Sequence, residues 1–172
     1  MINALIDRVG VAGVSLLTVA LALGCAPPAE PEPEAPPRDL VAEARAGIDA
    51  GNERLSAALA AGDAQAAAAA YTADGWLLPP NAEPVKGREA IAEFWGELIA
   101  SGVGGAKLET IEVQAGDGWA WEVGRVEILG AEREVLDVGS YAVGWAVEDG
   151  VWKLRRDIWN SDRPAAAEPA NG

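Results

Sequence analysis

The residues of this 172-residue chain best suited to chemistry are two carboxylates and two tyrosines, because histidine is absent from it. Without imidazole there is no histidine base, no Ser-His-Asp triad and no histidine metal ligand. The single cysteine, Cys25, stands far from the other candidates in sequence and cannot build a cysteine-type zinc site by itself. What remains is a carboxylate base acting with a tyrosine hydroxyl, or a protonated acid, that donates to a developing oxyanion. Glu122 and Asp157 are the candidate bases, and Tyr71 and Tyr141 the candidate donors.

The segment "WKLRRDIWNSD", residues 152–162, carries one of those acids between two arginines and a tryptophan. Strict alternation along a strand sets Trp152, Leu154, Arg156, Ile158 and Asn160 on one side, and Lys153, Arg155, Asp157 and Trp159 on the other. The first set is the more apolar. Assigned to the covered side, it places Arg156 and Asn160 beside the interior, with Asp157 and Trp159 toward solvent or a second subunit. A guanidinium taken out of water needs a counter-charge. Glu122 is the candidate partner, on the strand face that also carries Ala120, Gly124, Val126 and Ile128. The pair has two readings: a structural ion pair, or two groups that orient a polar part of a bound molecule.

Seven tryptophans against one phenylalanine give the chain an unusual stock of large flat side chains, each with an N–H that seeks an acceptor. Individually they suit core packing, and together they suit the wall of a pocket for a flat or apolar ligand. Tyr71, Trp76 and Trp95 are the expected lining residues, with Glu122, Arg156 and Asn160 as the polar contacts.

The elements that must position these residues are legible as a change of period. From Asp39 to Ala61 apolar residues recur at helical spacing, and Gly62 supplies a stop. Asp63 caps a second, alanine-rich helix to about Thr72, which places Tyr71 near its C-terminal end. "GWLLPP", residues 75–80, reads as a short strand that its two prolines end. Gly87 opens a third helix with one apolar face, formed by Ile91, Phe94, Trp95, Leu98 and Ile99. Four period-two segments follow, 106–114, 118–129, 134–147 and 151–160, with "AGDG" and "EDG" as tight turns. Helices followed by an antiparallel meander predict an α+β domain, and a strongly twisted sheet can leave a hollow beneath its helices.

Outside that region the composition changes. A largely apolar run, Val9 to Leu23, is shorter than the roughly 20 residues a membrane span needs and suits a secretory signal. "LALGC", residues 21–25, resembles the lipobox of bacterial lipoproteins, which implies that Cys25 is acylated and becomes the mature N-terminus. Residues 26–37, "APPAEPEPEAPP", contain six prolines and three glutamates and predict an extended spacer. The expected organisation is a signal peptide over 1–24, the lipidated cysteine and linker over 25–37, one domain over 38–163, and a disordered tail over 164–172. A formal net charge of −14 excludes nucleic acid as a partner and leaves any membrane association to the lipid.

Within the domain, "YTADGWLLPPNAEPVKGREAIAEFW", then "WEVG", then "GSYAVGWAVEDGVWKLRRDIWNSD" resemble in order and spacing the SnoaL-like branch of the nuclear-transport-factor-2-like superfamily. The resemblance implies a cystatin-like cone, with three N-terminal helices packed on a curved antiparallel sheet around a pocket. It also implies a homodimer through the outer sheet face. Relatives include isomerases, cyclases and dehydratases as well as members without known activity, so fold leaves function open. The reading that follows is a lipid-anchored module of the bacterial cell envelope, facing the periplasm or the cell surface. It binds a small apolar or aromatic molecule without a metal or cofactor and without catalysis. The alternatives are an isomerase, cyclase or dehydratase with a carboxylate base in the same pocket, related in manner to ketosteroid isomerase, and a purely structural dimerisation domain.

Overall fold

The computed structural model describes residues 38–164. The expected signal segment, Cys25, the proline-rich spacer and the expected tail beyond Pro164 lie outside the described residues.

Helix α1, Leu40–Ala60, begins where the Asp39 carboxylate accepts the backbone N–H of Ala42 at 3.0 Å. Its buried stripe repeats at helical spacing through Ala44, Ile48, Gly51, Asn52, Leu55, Ala58 and Leu59. The helix ends in a Schellman motif: Gly62, at φ 68°, donates to Leu59 O, and Asp63 N–H donates to Ala58 O. Asp63 then caps α2, Ala64–Ala69, by accepting from Ala66 N–H, so one residue closes the first helix and opens the second.

Helix α2 is shorter than its alanine content suggests. Leu154 N–H donates to Ala70 O, and the chain enters strand β1, Tyr71–Leu78, alongside the last strand. Tyr71 therefore starts a strand and does not sit on the end of a helix, because pairing with the sheet overrides local propensity. A two-residue strand β2, Val85–Lys86, lies in what the sequence suggests is a loop, and α3, Arg88–Ala100, follows with Ile91, Ala92 and Trp95 buried.

The meander is β3, Val103–Gly116, β4, Trp119–Gly130, β5, Val135–Glu148, and β6, Val151–Trp159. All four expected segments are present, each within a few residues of its expected ends. Asp149 and Gly150, both at positive φ, make the final hairpin turn. The strand order is β2-β1-β6-β5-β4-β3. β1 runs parallel to β6, so the curved sheet is mixed and not purely antiparallel. The expected α+β cone is otherwise the architecture found, with the helices on one face of the sheet.

Pairing register orders the inner face into cross-strand rows. Val113, Glu122, Val143, Asp157 and Leu77 form one row. Ala115, Ala120, Trp145, Leu154 and Tyr71 form the next, and Thr110, Gly124, Tyr141 and Trp159 lie on its other side. The opposite face exposes Trp119, Trp121 and Ile158.

Candidate functional site

Glu122 is fully buried in the middle of β4, where an uncompensated carboxylate would be very costly. Four side chains compensate it. Asn52 of α1 donates its amide N–H to Oε1 at 2.8 Å, and the hydroxyls of Thr110 and Tyr141 donate to the same oxygen at 2.7 and 2.6 Å. The Trp145 indole donates to Oε2 at 2.8 Å. All four donors are uncharged, so the carboxylate is satisfied without a cation. Burial, and then the bond to Glu122, raise the pKa of Tyr141 above the ordinary phenol value.

Two glycines make this cage possible. A Cβ on Gly124 would stand 2.3 Å from Tyr141 Cζ and 2.5 Å from the Glu109 carbonyl, so only glycine lets the Tyr141 ring cross β4. A Cβ on Gly51 would stand 2.6 Å from Trp145 Cζ3, so the bare helix backbone is what lets the indole lie against α1.

Asp157 lies in the same row as Glu122, with Val143 between them. Two strand spacings separate the carboxylates, roughly 10 Å. Asp157 is 7% exposed and accepts the Tyr71 hydroxyl at 2.6 Å. Burial pushes its carboxyl up to about 6; the Tyr71 bond opposes that rise and the Glu122 charge adds to it. The Tyr71 hydroxyl, wholly buried beside Asp157, is itself raised well above its ordinary value. Trp95 Nε1 approaches that hydroxyl closely enough to lower its pKa, yet the indole N–H is buried without an acceptor in hydrogen-bond geometry.

Asp157 faces a cavity of about 40 Å³ between α1, α3 and the sheet. Its walls are mostly apolar, including Leu55, Leu59, Leu108, Val126, Val143 and Leu154; Asn52, Tyr141 and Asp157 are the polar side chains, and Trp95 and Trp159 the flat ones. That volume holds roughly three water molecules. Chemically, the arrangement offers one carboxylate with spare acceptor capacity to a molecule in an apolar space.

Of the residues singled out from sequence, the cavity gathers Trp95, Tyr141 and Asp157, with Glu122 and Tyr71 directly behind them. Trp76, Arg156 and Asn160 are elsewhere. The cause is a β-bulge in β6: Leu154 pairs with Trp145 but Arg156 with Gly144, so Arg155 is an extra residue and the alternation changes phase. Every later side chain is thereby exchanged between faces. Asp157 and Trp159 turn inward, while Ile158 is 46% exposed. Arg156 lies on the outer side, where it donates to the carbonyls of Asp74 and Arg155 and sits 4.9 Å from the Trp76 ring; Lys86 Nζ is 4.0 Å from the same ring. The expected Glu122–Arg156 pair therefore does not form. Asn160 is exposed and accepts the Ser140 N–H.

Sequence reasoning missed Asn52, Thr110 and Trp145 as partners of Glu122. A signal for the first was present: Asn52 falls on the apolar stripe of α1, where an amide must find a buried partner.

Comparisons with known proteins agree with this fold. No functionally curated protein matches the chain. Among solved structures, a cystatin-like protein of unknown function from Nostoc punctiforme superposes with a TM-score of 0.63 at 16% identity, over 73% of this chain and 96% of that one. A nuclear-transport-factor-2-like protein with a cystatin-like fold from Novosphingobium aromaticivorans gives 0.62 at 20% identity, over 72% and 86%. A ketosteroid isomerase-like protein from Erwinia carotovora atroseptica gives 0.56 at 25% identity, over 69% and 96%. The SnoaL-like domain matches residues 52–155, from the amide that holds Glu122 to the bulge that turns Asp157 inward, and this chain belongs to that family.

Proposed function

We propose that this SnoaL-like domain binds a small apolar or aromatic molecule with one hydrogen-bond donor, which Asp157 accepts. The observation that carries the reading is the pairing of an apolar cavity with a buried carboxylate that lines it and has one donor among the described residues, the Tyr71 hydroxyl. Specificity in such sites comes from a few polar groups in an apolar wall. Phenylnaphthylamine, flat and apolar with one N–H, is a suitable probe, because its binding beside Trp95 and Trp159 quenches indole emission. Saturable one-to-one binding is expected. Asp157→Asn, which replaces a charged acceptor by a neutral one, weakens it about fivefold, a difference of about 1 kcal/mol. Absence of saturable binding sinks the proposal.

The domain's place is part of the same proposal: acylation of Cys25 and a proline-rich spacer hold it at the bacterial cell envelope, and pairing of two outer sheet faces makes a homodimer. Labelling with radioactive palmitate that survives Cys25→Ala, or sedimentation as a monomer, would remove the respective part.

A second reading, catalysis, is favoured by the raised pKa of Asp157, close to the pH at which a base works best. The ketosteroid isomerase-like relative is in keeping with it. Here Asp157 is the base that moves a proton at carbon. Deuterium exchange into an enolisable cyclic ketone should then require Asp157; exchange that persists in Asp157→Asn rejects this role.

A further inference from the structure

We propose that the cavity and an outer cleft behind Trp159 are two halves of one elongated binding site. Its ligand is a flat apolar molecule of at least two rings whose polar end reaches Asp157. The inference rests on the binding function proposed above and gives that function its ligand class.

Size is the first argument. The cavity of about 40 Å³ takes roughly three waters, whereas pockets that hold ordinary ligands are several times larger, so an occupant of any complexity must leave through a wall. Beyond one wall lies a cleft of about 340 Å³, lined by Pro79, Pro80, Phe94, Leu98 and Leu136. Trp95, Ile128 and Trp159 border both spaces.

The second argument concerns what can move. Trp159 is the last residue of β6 and only partly buried, and its indole is held by ring packing. It stacks on Trp95 at 6.2 Å with planes 10° apart and meets Phe94 edge-on at 6.3 Å. The backbone beside it is fixed, since Asn160 N–H donates to Ser140 O and Asp162 N–H to Val138 O. Rotation of the Trp159 side chain therefore joins the two spaces without opening the sheet. It leaves a slot against Trp95 that another flat ring system fills in the same stacked manner.

The chemistry of the cleft sets the far end of the ligand. Asp137, the one acid among its lining residues, accepts the Ser161 hydroxyl and the Val138 N–H on one oxygen and has its charge offset by Arg163 at 3.9 Å. An uncharged apolar end fits there. The groove on the opposite side, between α1 and β3, also borders the cavity, at Asn52, Ala106 and Leu108, but Asp49, Glu53, Lys107 and Arg133 stand among its alanines and make it the more polar of the two exits.

Phenylnaphthylamine, with two ring systems and one N–H, tests the inference. Leu136→Trp fills the cleft at a position already 37% exposed, and should lower the affinity about tenfold. Trp159→Ala removes the partition and should raise the affinity at least threefold, with circular dichroism as the check on folding. Trp159→Phe, which preserves the packing, should move it in the same direction. Probe binding that is unmoved by Leu136→Trp, or weakened by both Trp159 variants, overturns the elongated site while the binding function stands. Absence of binding to the parent protein overturns both.

Discussion

Glu122 and Asp157 share one row of the sheet, yet their surroundings give them opposite characters. Glu122 has four donors, and its removal strands them. In Glu122→Gln one acceptor oxygen becomes an N–H₂, so at least one of the four donors faces another donor. The expected loss is about 2–3 kcal/mol, read as a lower urea midpoint at unchanged slope. Asp157 has one donor and an apolar frontage, and it costs the fold stability. Its folded pKa of about 6 lies above the ordinary 3.8. Below the lower value both states hold the proton and the residue contributes nothing. Between the two values only the folded state holds it, so stability falls as pH rises, and above about 6 the penalty is complete, on the order of 3 kcal/mol. Asp157→Asn still accepts from Tyr71 but never ionises. It should be more stable than the parent at pH 7, by up to about 3 kcal/mol, and lose that advantage at pH 4. An equal difference at both pH values would show that the charge carries no penalty.

At the scale of elements, the site depends on where secondary structure departs from regularity. Helix α1 places Gly51 under the Trp145 ring, and alanine there gains about 1 kcal/mol of helix propensity but forces the ring away. Trp145 is 2% exposed and bonded to Glu122, so it has little freedom to yield. Gly51→Ala is expected to be destabilising by a net 1–2 kcal/mol or so, read by thermal unfolding, despite the better helix former. Much of this level was legible in the sequence. The first helix, the Asp63 cap, the Gly62 stop, the apolar face of α3 and the four strands all follow from periods and turn residues, because those signals are local. The inward face of β4 was legible too, since alternation there is unbroken from Ala120 to Val126. The inward residues of β6 were not legible, and the reason is a single extra residue. Strict alternation in β6 buries one of the adjacent residues Arg155 and Arg156, and the bulge leaves both outside, bonded to Asp74 and the neighbouring backbone. A one-residue bulge is fixed by the pairing of β6 with β5 and β1, which no local pattern encodes. Trp76 stands outside because its neighbour Leu77, fully buried beside Asp157, takes the inward position of β1.

For the whole molecule, the two ionisable regions act in opposite directions along the pH axis. The clasp that joins the helical layer to the last hairpin centres on Glu148. It accepts from Ala73 N–H at 2.9 Å, from Lys153 Nζ at 2.9 Å and from Arg88, whose guanidinium also donates to Tyr71 O. The Ala73 N–H first, and then Lys153 and Arg88, pull the Glu148 pKa down to about 2. Its stabilising effect is present above the ordinary value of 4.5 and is lost as pH falls toward 2. Asp157 does the reverse, restoring stability as pH falls through about 6. Acidification also relieves the self-repulsion of a chain with a net charge of −14. Unfolding free energy should therefore rise from pH 7 to a maximum near pH 5 and decline below 4.5, where the Glu148 contribution is lost. Urea titrations at pH 7, 5 and 3 read the profile. Asp157→Asn should flatten mainly the neutral limb, and Glu148→Gln mainly the acid limb, because the two carboxyls titrate in largely different pH windows although Tyr71 touches both networks. A parent protein whose stability falls steadily from pH 7 to pH 5 would mean that Asp157 is not held in a low-dielectric site, and the cavity would lose its polar anchor.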